Sequence, residues 1–359
     1  MEAKDDYIKG RGAQINTPNR FLKSNTEKYY DDLPTEEERE AYAKLNYKTK
    51  FLELHPKTIL NKISSPDIGF GYSMNPYQGC EHGCVYFYAR NSHEYWDFSP
   101  GLDFEQKIMV KKNAHALLRQ SFMKKDWEPV PILLSGNTDC YQPVERQLQL
   151  TRKILEVCLE FSHPVAIITK NSMIERDMDL ISALAKDQLV HVTLSLTTLN
   201  EDLKRIMEPR TASVRNVLRT LEALVAQNIP VNINAAPMIP ALNDHELPKI
   251  IKTVAALGAS KVSYIVLRLN HEVATIFEDW IRKNFPDKAE NVLKKIKYLH
   301  GGQLSDYRYG KRMRGEGPMA EMIRKQYEIA MHKHMNGRSM PKFNLDLFYQ
   351  KKNKQMSLF

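Results

Sequence analysis

The stretch "MNPYQGCEHGCVYFYAR", Met74 to Arg90, decides how the rest of the chain is interpreted. It places Cys80 and Cys84 four positions apart among glycine and aromatic residues, and glycine permits a tight loop. Thiolates brought together by such a loop are the usual ligands of an iron–sulfur cluster. Three positions after Cys84, where a third cysteine would complete a Cys-x3-Cys-x2-Cys pattern, the chain has Phe87. From these residues alone, the stretch is a cluster site, the remnant of one, or a loop that has never held metal.

Strand-sized and helix-sized segments alternate on the C-terminal side of this loop. Short apolar runs occupy residues 131–137, 164–171, 190–199, 230–239 and 261–269. Amphipathic segments with i, i+3, i+4 apolar spacing lie between them, at 144–161, 176–187, 213–228 and 244–258. This alternation is typical of right-handed βαβ units and a parallel sheet. With a first strand near 70–75, it predicts an α/β fold with six strands, a partial (β/α)6 TIM-like barrel.

The local composition of the sequence also indicates where this barrel begins and ends. Residues 1–65 are polar and irregular and indicate an N-terminal arm, and residues 66–285 indicate the barrel. Residues 286–336, which include the loop "HGGQLSDYRYGKRMRGEGP", indicate a C-terminal loop and helix cap. Residues 337–359 are interpreted as a flexible tail.

Composition narrows the class of protein only broadly. The chain has 359 residues, a net charge of +9 and an isoelectric point near 9.1. Such a basic excess is compatible with a polyanionic partner such as nucleic acid, although many enzymes without one are equally basic. The N-terminal residues lack the apolar region of a secretory signal, and no apolar run is long enough to cross a membrane. We therefore expect a cytoplasmic protein with no membrane partner.

The complete set of motifs resembles the radical S-adenosylmethionine superfamily. The motifs are "NPYQGCEHGCVY", "GLDFEQKI", "GNTDCYQPVERQLQLTR", "ITKN", "TTLN", "MEPRTAS", "IPALNDHE" and "RMRGEGP", in that order. They are similar to an uncharacterised branch that is grouped with spore photoproduct lyase under the label DNA repair photolyase. The resemblance implies a [4Fe–4S] cluster whose open iron chelates S-adenosylmethionine, an electron donor, and hydrogen abstraction by a 5′-deoxyadenosyl radical. It implies no specific reaction, because none is known for this branch.

Phe87 departs from that family pattern, and the sequence leaves three explanations open. The chain is a disabled member that does not bind the cluster stably, a working enzyme with a substitute ligand, or a functional line that carries an isolated substitution. The candidate substitutes are His82, inside the loop, and Cys140, which lies at the end of the second strand and is expected to face the same open end of the barrel as the loop. A phenylalanine ring has no atom that ligates iron.

The resemblance also implies roles for residues outside the metal pair Cys80 and Cys84. Tyr88 matches a tyrosine of a radical relay, and Cys140 is a second catalytic candidate, with an ordinary loop residue as the alternative. Lys170 and Ser195 match positions that hold the carboxylate and ribose of S-adenosylmethionine. The complete list of expected cofactor-binding residues is Tyr86, Asn137, Asp139, Lys170, Ser195 and Arg210. Arg210 has the alternative role of forming a salt bridge and capping a helix.

The chain ends in "QMSLF", residues 355–359, which resembles the peptide by which bacterial repair proteins dock on the DNA sliding clamp. The leading functional hypothesis is therefore a radical S-adenosylmethionine protein that acts on or near DNA, with activity impaired by Phe87. One alternative is a non-enzymatic binding module associated with DNA and the clamp. Another is an enzyme that modifies RNA or protein.

Overall fold

The computed structural model describes residues 7–21 and 48–349. The strands are β1 Lys50–Glu53, β2 Leu60–Lys62, β3 Tyr72–Met74, β4 Tyr77–Gln78, β5 Lys107–Val110, β6 Ile132–Leu134, β7 Val165–Thr169, β8 Val190–Ser195, β9 Val231–Met238 and β10 Lys261–Val266. The α-helices are α1 Leu102–Gln106, α2 Ala114–Met123, α3 Glu145–Leu148, α4 Leu150–Phe161, α5 Met178–Lys186, α6 Glu201–Met207, α7 Val214–Ala226, α8 Leu247–Ala256, α9 Glu272–Asn284, α10 Pro286–Leu299 and α11 Gly317–Met335. Three 3-10 segments occupy Tyr88–Trp96, Ser172–Asp177 and Asp244–Glu246.

The large sheet has the order β10-β9-β8-β7-β6-β3-β2. The six strands from β3 to β10 in this order are parallel neighbours, while β2 pairs with β3 antiparallel at the edge. Helices connect most of the parallel strands, as a right-handed crossover requires. The predicted α/β fold with six parallel strands is confirmed, and it is consistent with a partial TIM-like barrel.

The helices form where apolar spacing and capping agree. In α7 the buried residues Val214, Val217, Leu221 and Leu224 recur every three or four positions, and the Ser213 side chain accepts a hydrogen bond from the Asn216 amide at 3.2 Å. The helix expected over 144–161 is divided into α3 and α4, because Gln149 has a left-handed φ of 52°. Most predicted helices therefore exist, with this one interruption.

The two faces of the large sheet differ in polarity. Val190, Val192 and Leu194 of β8 are buried in the main core together with residues of the surrounding helices. The opposite face carries polar side chains, among them Asn232, which donates to Thr193 Oγ1 at 3.3 Å and Ser263 Oγ at 3.2 Å. The concave interior of the partial barrel is thus polar, and it leads to the carboxyl ends of the strands.

Residues 50–62, within the expected N-terminal arm, form two strands. Strand β2 extends the large sheet, and β1 joins β5 and β4 in a separate three-stranded sheet. Residues 7–21 pack on the segment that carries the cysteines, as described below. These pairings are long-range, so the local polarity that suggested an irregular arm does not encode them.

The flexible tail expected from residue 337 is wrong for residues 337–349. The Arg338 guanidinium donates to the carbonyls of Ala255 and Ala259, and the Phe343 ring stacks on His191 with centroids 3.8 Å apart. Phe348 is 1% exposed and packs on His163. Ala259, His191 and His163 each lie at or just before the start of a parallel strand, so this segment covers the amino-terminal end of the sheet. The clamp-like residues 355–359 lie outside the described residues.

None of the helices in the described parts of the chain has the length and apolarity needed to span a bilayer.

Candidate functional site

The cysteine loop lies beyond the carboxyl end of β3 and is held by backbone contacts. Gly79 and Gly83 adopt φ values of 81° and 69°, which allow the chain to turn twice within a few residues. The Cys80 amide donates to the Phe104 carbonyl at 2.9 Å, and the Arg90 Nε donates to the Cys84 carbonyl at 2.9 Å. Cys80 and Cys84 are only 5% and 7% exposed. The loop is therefore a buried, ordered element of the protein.

Residues 10–14 run across this loop, and we call them the N-terminal strap. The Glu105 carboxylate accepts hydrogen bonds from the Gly12 and Ala13 amides at 3.0 and 2.8 Å. The same buried carboxylate pairs with Arg90, which is itself fully buried. A side chain at Gly12 would lie 1.6 Å from the Gly83 carbonyl oxygen, so the strap and the loop are in direct backbone contact. Glu105 thus connects the strap to the arginine that holds the Cys84 carbonyl.

A second buried carboxylate, Glu208, forms ion pairs and hydrogen bonds with polar side chains on the other side of the loop. Lys170 Nζ lies 3.0 Å from Glu208 Oε1, and Lys204 Nζ lies 2.5 Å from Oε2. Tyr86 and Thr197 also donate hydroxyl hydrogen bonds to this carboxylate. Burial raises the pKa of Glu208, but the two ammonium groups lower it more strongly, so the net shift is downward. Glu208 is therefore the ionised, buried centre of a network in which only Lys170 is partly exposed.

His82 and Asp139 form another pair beside the cysteines. Asp139 Oδ2 lies 3.3 Å from His82 Nδ1 and accepts the Lys170 amide at 2.7 Å, while its Oδ1 accepts the Thr169 hydroxyl at 2.7 Å. Burial lowers the pKa of His82, but Asp139 and the Cys80 thiol outweigh it and raise the pKa to about 10. His82 Nε2 lies 3.2 Å from Nδ2 of the Asn171 side chain. Both imidazole nitrogens are therefore turned toward protein groups.

The remaining expected site residues are distributed unevenly. Tyr88 donates its hydroxyl to the Gly136 carbonyl at 2.5 Å, which connects the loop after β3 to the loop after β6. Ser195 is buried at the last position of β8, where it pairs with Asn234 of β9. Arg210 Nε donates to the Gly10 carbonyl at 2.9 Å, and its guanidinium lies 3.9 Å from Glu81. Asn137 is exposed, and only its backbone amide is held, by Asn75 at 3.1 Å.

Cys140 was expected to face the open end of the barrel, and this expectation is wrong. The residue is fully buried in the main apolar core. Its amide donates to Ser135 Oγ at 2.9 Å, and its carbonyl accepts the Thr151 hydroxyl at 2.6 Å. Tyr141, the next residue, is also buried, which shows that the loop after β6 turns inward at this position. Cys140 therefore lies among packing residues.

Comparison with known proteins identifies the family. The model of the Radical SAM superfamily matches residues 74–254. The chain belongs to the radical SAM superfamily. An uncharacterised protein of Mycobacterium tuberculosis, Rv2578c, is 32% identical over 240 residues, which cover 66% of this chain and 71% of the relative. An uncharacterised protein of Methanocaldococcus jannaschii, MJ0683, is 26% identical over 257 residues, which cover 71% and 91%.

Solved structures agree with this radical SAM assignment at the level of the fold. A mutant of spore photoproduct lyase with bound AdoMet and dinucleoside spore photoproduct superimposes with a TM-score of 0.62 at 14% identity, covering 86% of each chain. Spore photoproduct lyase complexed with dinucleoside spore photoproduct gives a TM-score of 0.61 at 15% identity, covering 87% of this chain and 86% of the other. At this identity, the likeness describes the fold.

The donor atoms of this radical SAM chain do not fit a cluster that is held by three thiolates. Phe87 is half-buried, and its ring packs on Phe104 and Tyr88, with centroids 6.0 and 5.3 Å away. Among residues 7–21 and 48–349, no three His, Cys, Asp or Glu side chains are arranged to hold a metal ion. Burial and Glu208 also raise the pKa of Cys84, which favours the thiol over the thiolate that metals bind.

Two of the residues expected to hold S-adenosylmethionine lie beside each other in the sheet. Lys170 and Ser195 lie on neighbouring strand ends, because Thr169 pairs with Leu194 in the sheet. The Lys170 ammonium is shared between Glu208 and Thr197, at 3.0 and 3.3 Å. An incoming carboxylate would therefore compete with Glu208 for this cation.

Three residues of the site escaped the sequence analysis. Glu208 lies inside the motif "MEPRTAS" and Glu105 inside "GLDFEQKI", so both were within segments that drew attention. Their roles come from the convergence of distant segments, which no local spacing reveals. Arg268, at the end of β10, is the third, and it carries the further inference below.

Proposed function

We propose that this chain is a nucleic-acid-directed radical SAM protein in which Phe87 impairs assembly of the cluster. The family implies hydrogen abstraction by a 5′-deoxyadenosyl radical, related to the repair of DNA lesions. The observation that carries the proposal is the combination of an intact, strapped cysteine loop with a hydrocarbon ring at the third ligand position. The likeness in fold to a lyase that binds a dinucleoside photoproduct supports a nucleic-acid substrate.

The electrostatic environment supports the same proposal. Two thiols, one of them held in its protonated form by burial and by Glu208, are a weaker ligand set than three thiolates. His82 and Cys140, the candidate substitutes, are directed to Asp139 and into the core respectively. We therefore propose no substitute ligand for the third position. The non-enzymatic binding module and the RNA- or protein-modifying enzyme remain alternatives to this function.

Anaerobic reconstitution with iron and sulfide tests the role of Phe87. We expect the wild-type chain to retain well under the ~4 iron atoms per chain of a complete cluster, and Phe87→Cys to approach that number. Phe87→Ala is the matched control, because it removes the ring without supplying a thiolate. Reductive cleavage of S-adenosylmethionine is the second readout and should follow the iron content.

The outcomes separate the causes of impairment. If Phe87→Cys alone gains iron, the missing thiolate is responsible. If Phe87→Ala gains as much, the bulk of the ring is responsible. Near-stoichiometric loading of the wild-type chain, with cleavage of S-adenosylmethionine, would refute impairment altogether.

A further inference from the structure

Arg268 lies at the carboxyl end of the barrel and has no hydrogen-bond or ion-pair partner in the part of the chain that the structure describes. It lies two residues beyond the end of β10, and its side chain is half-buried. The hydrogen bonds and ion pairs of the described residues do not include its guanidinium, whose carbon lies 5.5 Å from the centre of the Tyr88 ring. Arginine has five donors and cannot shed its charge, so a half-buried guanidinium in this state favours an anionic ligand.

The surroundings of Arg268 do not neutralise it. Burial lowers the pKa of Arg268 and the charge of Arg312 lowers it further, while Asp67 offsets these effects only in part. The charge of Arg312 is itself balanced, because its Nε lies 2.6 Å from Asp67 Oδ2 and its NH2 group donates to Ser65 Oγ at 2.6 Å. Asp67 attracts Arg268 but is paired with Arg312, so among the described residues these two guanidinium groups share one carboxylate.

The position of Arg268 relates it to the candidate site. Tyr88 follows Phe87 directly and reaches across to the Gly136 carbonyl after β6. Arg268 approaches the same tyrosine from β10, on the far side of the open end. An anion bound at Arg268 would therefore lie next to the cysteine loop and to the polar interior of the barrel.

The loop "HGGQLSDYRYGKRMRGEGP", which follows α10, adds surfaces suited to bases. Tyr307 and Tyr309 of this loop are mostly exposed, and the Arg312 guanidinium lies 4.6 Å from the centre of the Tyr309 ring. Backbone hydrogen bonds from Val266 to Met313 and from Leu269 to Leu304 hold the loop beside β10. Exposed tyrosines on such a loop can stack on unpaired bases, while cations contact the backbone.

We propose that Arg268 binds a phosphodiester group of the nucleic-acid substrate at the open end of the barrel. This inference rests on the proposed function, and it names the atom group and the residue through which the substrate would be held. A phosphodiester fits because two of its oxygens match the fork of a guanidinium. One aromatic ring lies under Arg268 and another under Arg312, so aromatic surfaces lie beside both cations.

The test is fluorescence anisotropy with a labelled single-stranded oligonucleotide, measured over a series of salt concentrations. We expect Arg268→Gln to bind about tenfold more weakly than wild type, which is the loss of one charge-assisted contact. The slope of log K against log salt should fall by about 0.7, the value for one phosphate on a single strand. Lys186→Gln is the matched control, because Lys186 is an exposed cation at the opposite, amino-terminal end of the sheet.

A second variant protects the test against misfolding. Arg268→Lys retains the charge and loses the fork, so it should preserve the salt slope and weaken binding by a few-fold. Equal binding by wild type, Arg268→Gln and Arg268→Lys would overturn this inference and leave the proposed function in place. A wild-type chain that binds neither single- nor double-stranded oligonucleotides would contradict the proposed function itself, and this inference with it.

Discussion

Phe87 shows how one side chain changes what a preserved loop can bind. The Phe87 amide donates to the Cys84 carbonyl at 3.3 Å, and the Phe87 carbonyl accepts the Arg90 amide at 3.2 Å. These are backbone hydrogen bonds, so a cysteine at this position could form them equally well. The difference is confined to the side chain, which packs on aromatic neighbours. A substitution here therefore changes ligand chemistry without requiring the loop to refold. The sequence alone supplied this conclusion, since the motif around Phe87 is intact.

Glu208 allows a prediction about stability at the residue scale. Replacing it by glutamine leaves the buried ammonium groups of Lys170 and Lys204 without a carboxylate. We expect Glu208→Gln to lower the free energy of unfolding by about 3–5 kcal/mol, measured by urea denaturation at neutral pH. Asp202→Asn, in the helix that ends just before Glu208, is the control, because Asp202 is 86% exposed and should change stability by less than about 1 kcal/mol. Equal effects of the two substitutions would contradict the assigned role of Glu208.

The pH dependence of this effect has a definite sign. The pKa of Glu208 is lower in the folded protein than its ordinary value of 4.5. Below pH 4.5 the unfolded chain takes up a proton that the folded chain does not, so the stabilisation is complete above this value and declines as pH falls. The difference between wild type and Glu208→Gln should therefore narrow in acid, and a constant difference would count against an ionised Glu208.

At the scale of elements, the alternation of strands and helices was predictable and the small sheet was not. Strands β7 to β10 coincide with apolar runs that local patterning reveals, and they lie side by side in chain order, as consecutive parallel strands usually do. Strand β1 has four exposed residues, and β4 has only two residues, so neither has an apolar signature. They exist because β5 lies between them. The N-terminal strap was not predicted either, because its contacts with Glu105 and Gly83 join residues that are far apart in the sequence.

The strap gives a prediction at this scale. A methyl group at position 12 would collide with the Gly83 carbonyl, so Gly12→Ala should displace the strap from the cysteine loop. We expect a loss of about 1–3 kcal/mol in the free energy of opening this region. The loss is measured as faster reaction of Cys80 and Cys84 with a thiol reagent, and peptide mass spectrometry identifies which cysteines have reacted. Gly69→Ala is the control, because nothing lies within 4 Å of a side chain at that position.

Reaction rates at Cys140 and Cys158 separate local from global opening. If both core cysteines react faster in Gly12→Ala to the same degree as Cys80 and Cys84, the effect is general unfolding. Unchanged rates at all four cysteines would show that the strap does not protect the loop.

Over the whole molecule, the two ends of the barrel have opposite characters. The carboxyl end carries the cysteine loop, Lys170 and Arg268, while the amino-terminal end is covered by residues 337–349. The polar ends of the strands could be assigned from sequence because parallel strands place their carboxyl ends together. The cover could not, since its contacts with His163 and His191 join residues more than a hundred positions apart.

Phe348 tests the importance of this cover for the fold as a whole. Its ring contacts Phe122 and His163, so Phe348→Ala should leave a cavity and destabilise the chain by about 3 kcal/mol or more. Thermal and urea denaturation of the full chain measure the change. Tyr349→Ala is the matched control, because Tyr349 is 44% exposed and should cost less than about 1 kcal/mol. Wild-type stability in Phe348→Ala would mean that the segment rests on the barrel without supporting it.

The borders of the large sheet have a consequence for how copies of the chain meet one another. Strand β2, at one border, has only three residues and ends in the charged Lys62. At the other border, the Val266 amide donates to the Met313 carbonyl at 3.0 Å, and the Val262 carbonyl accepts the Tyr327 hydroxyl at 2.8 Å. Unpaired borders are where sheets of separate molecules join and aggregate. With one border short and charged and the other engaged by the chain itself, this sheet is poorly suited to such joining, which favours recovery of the protein at high concentration.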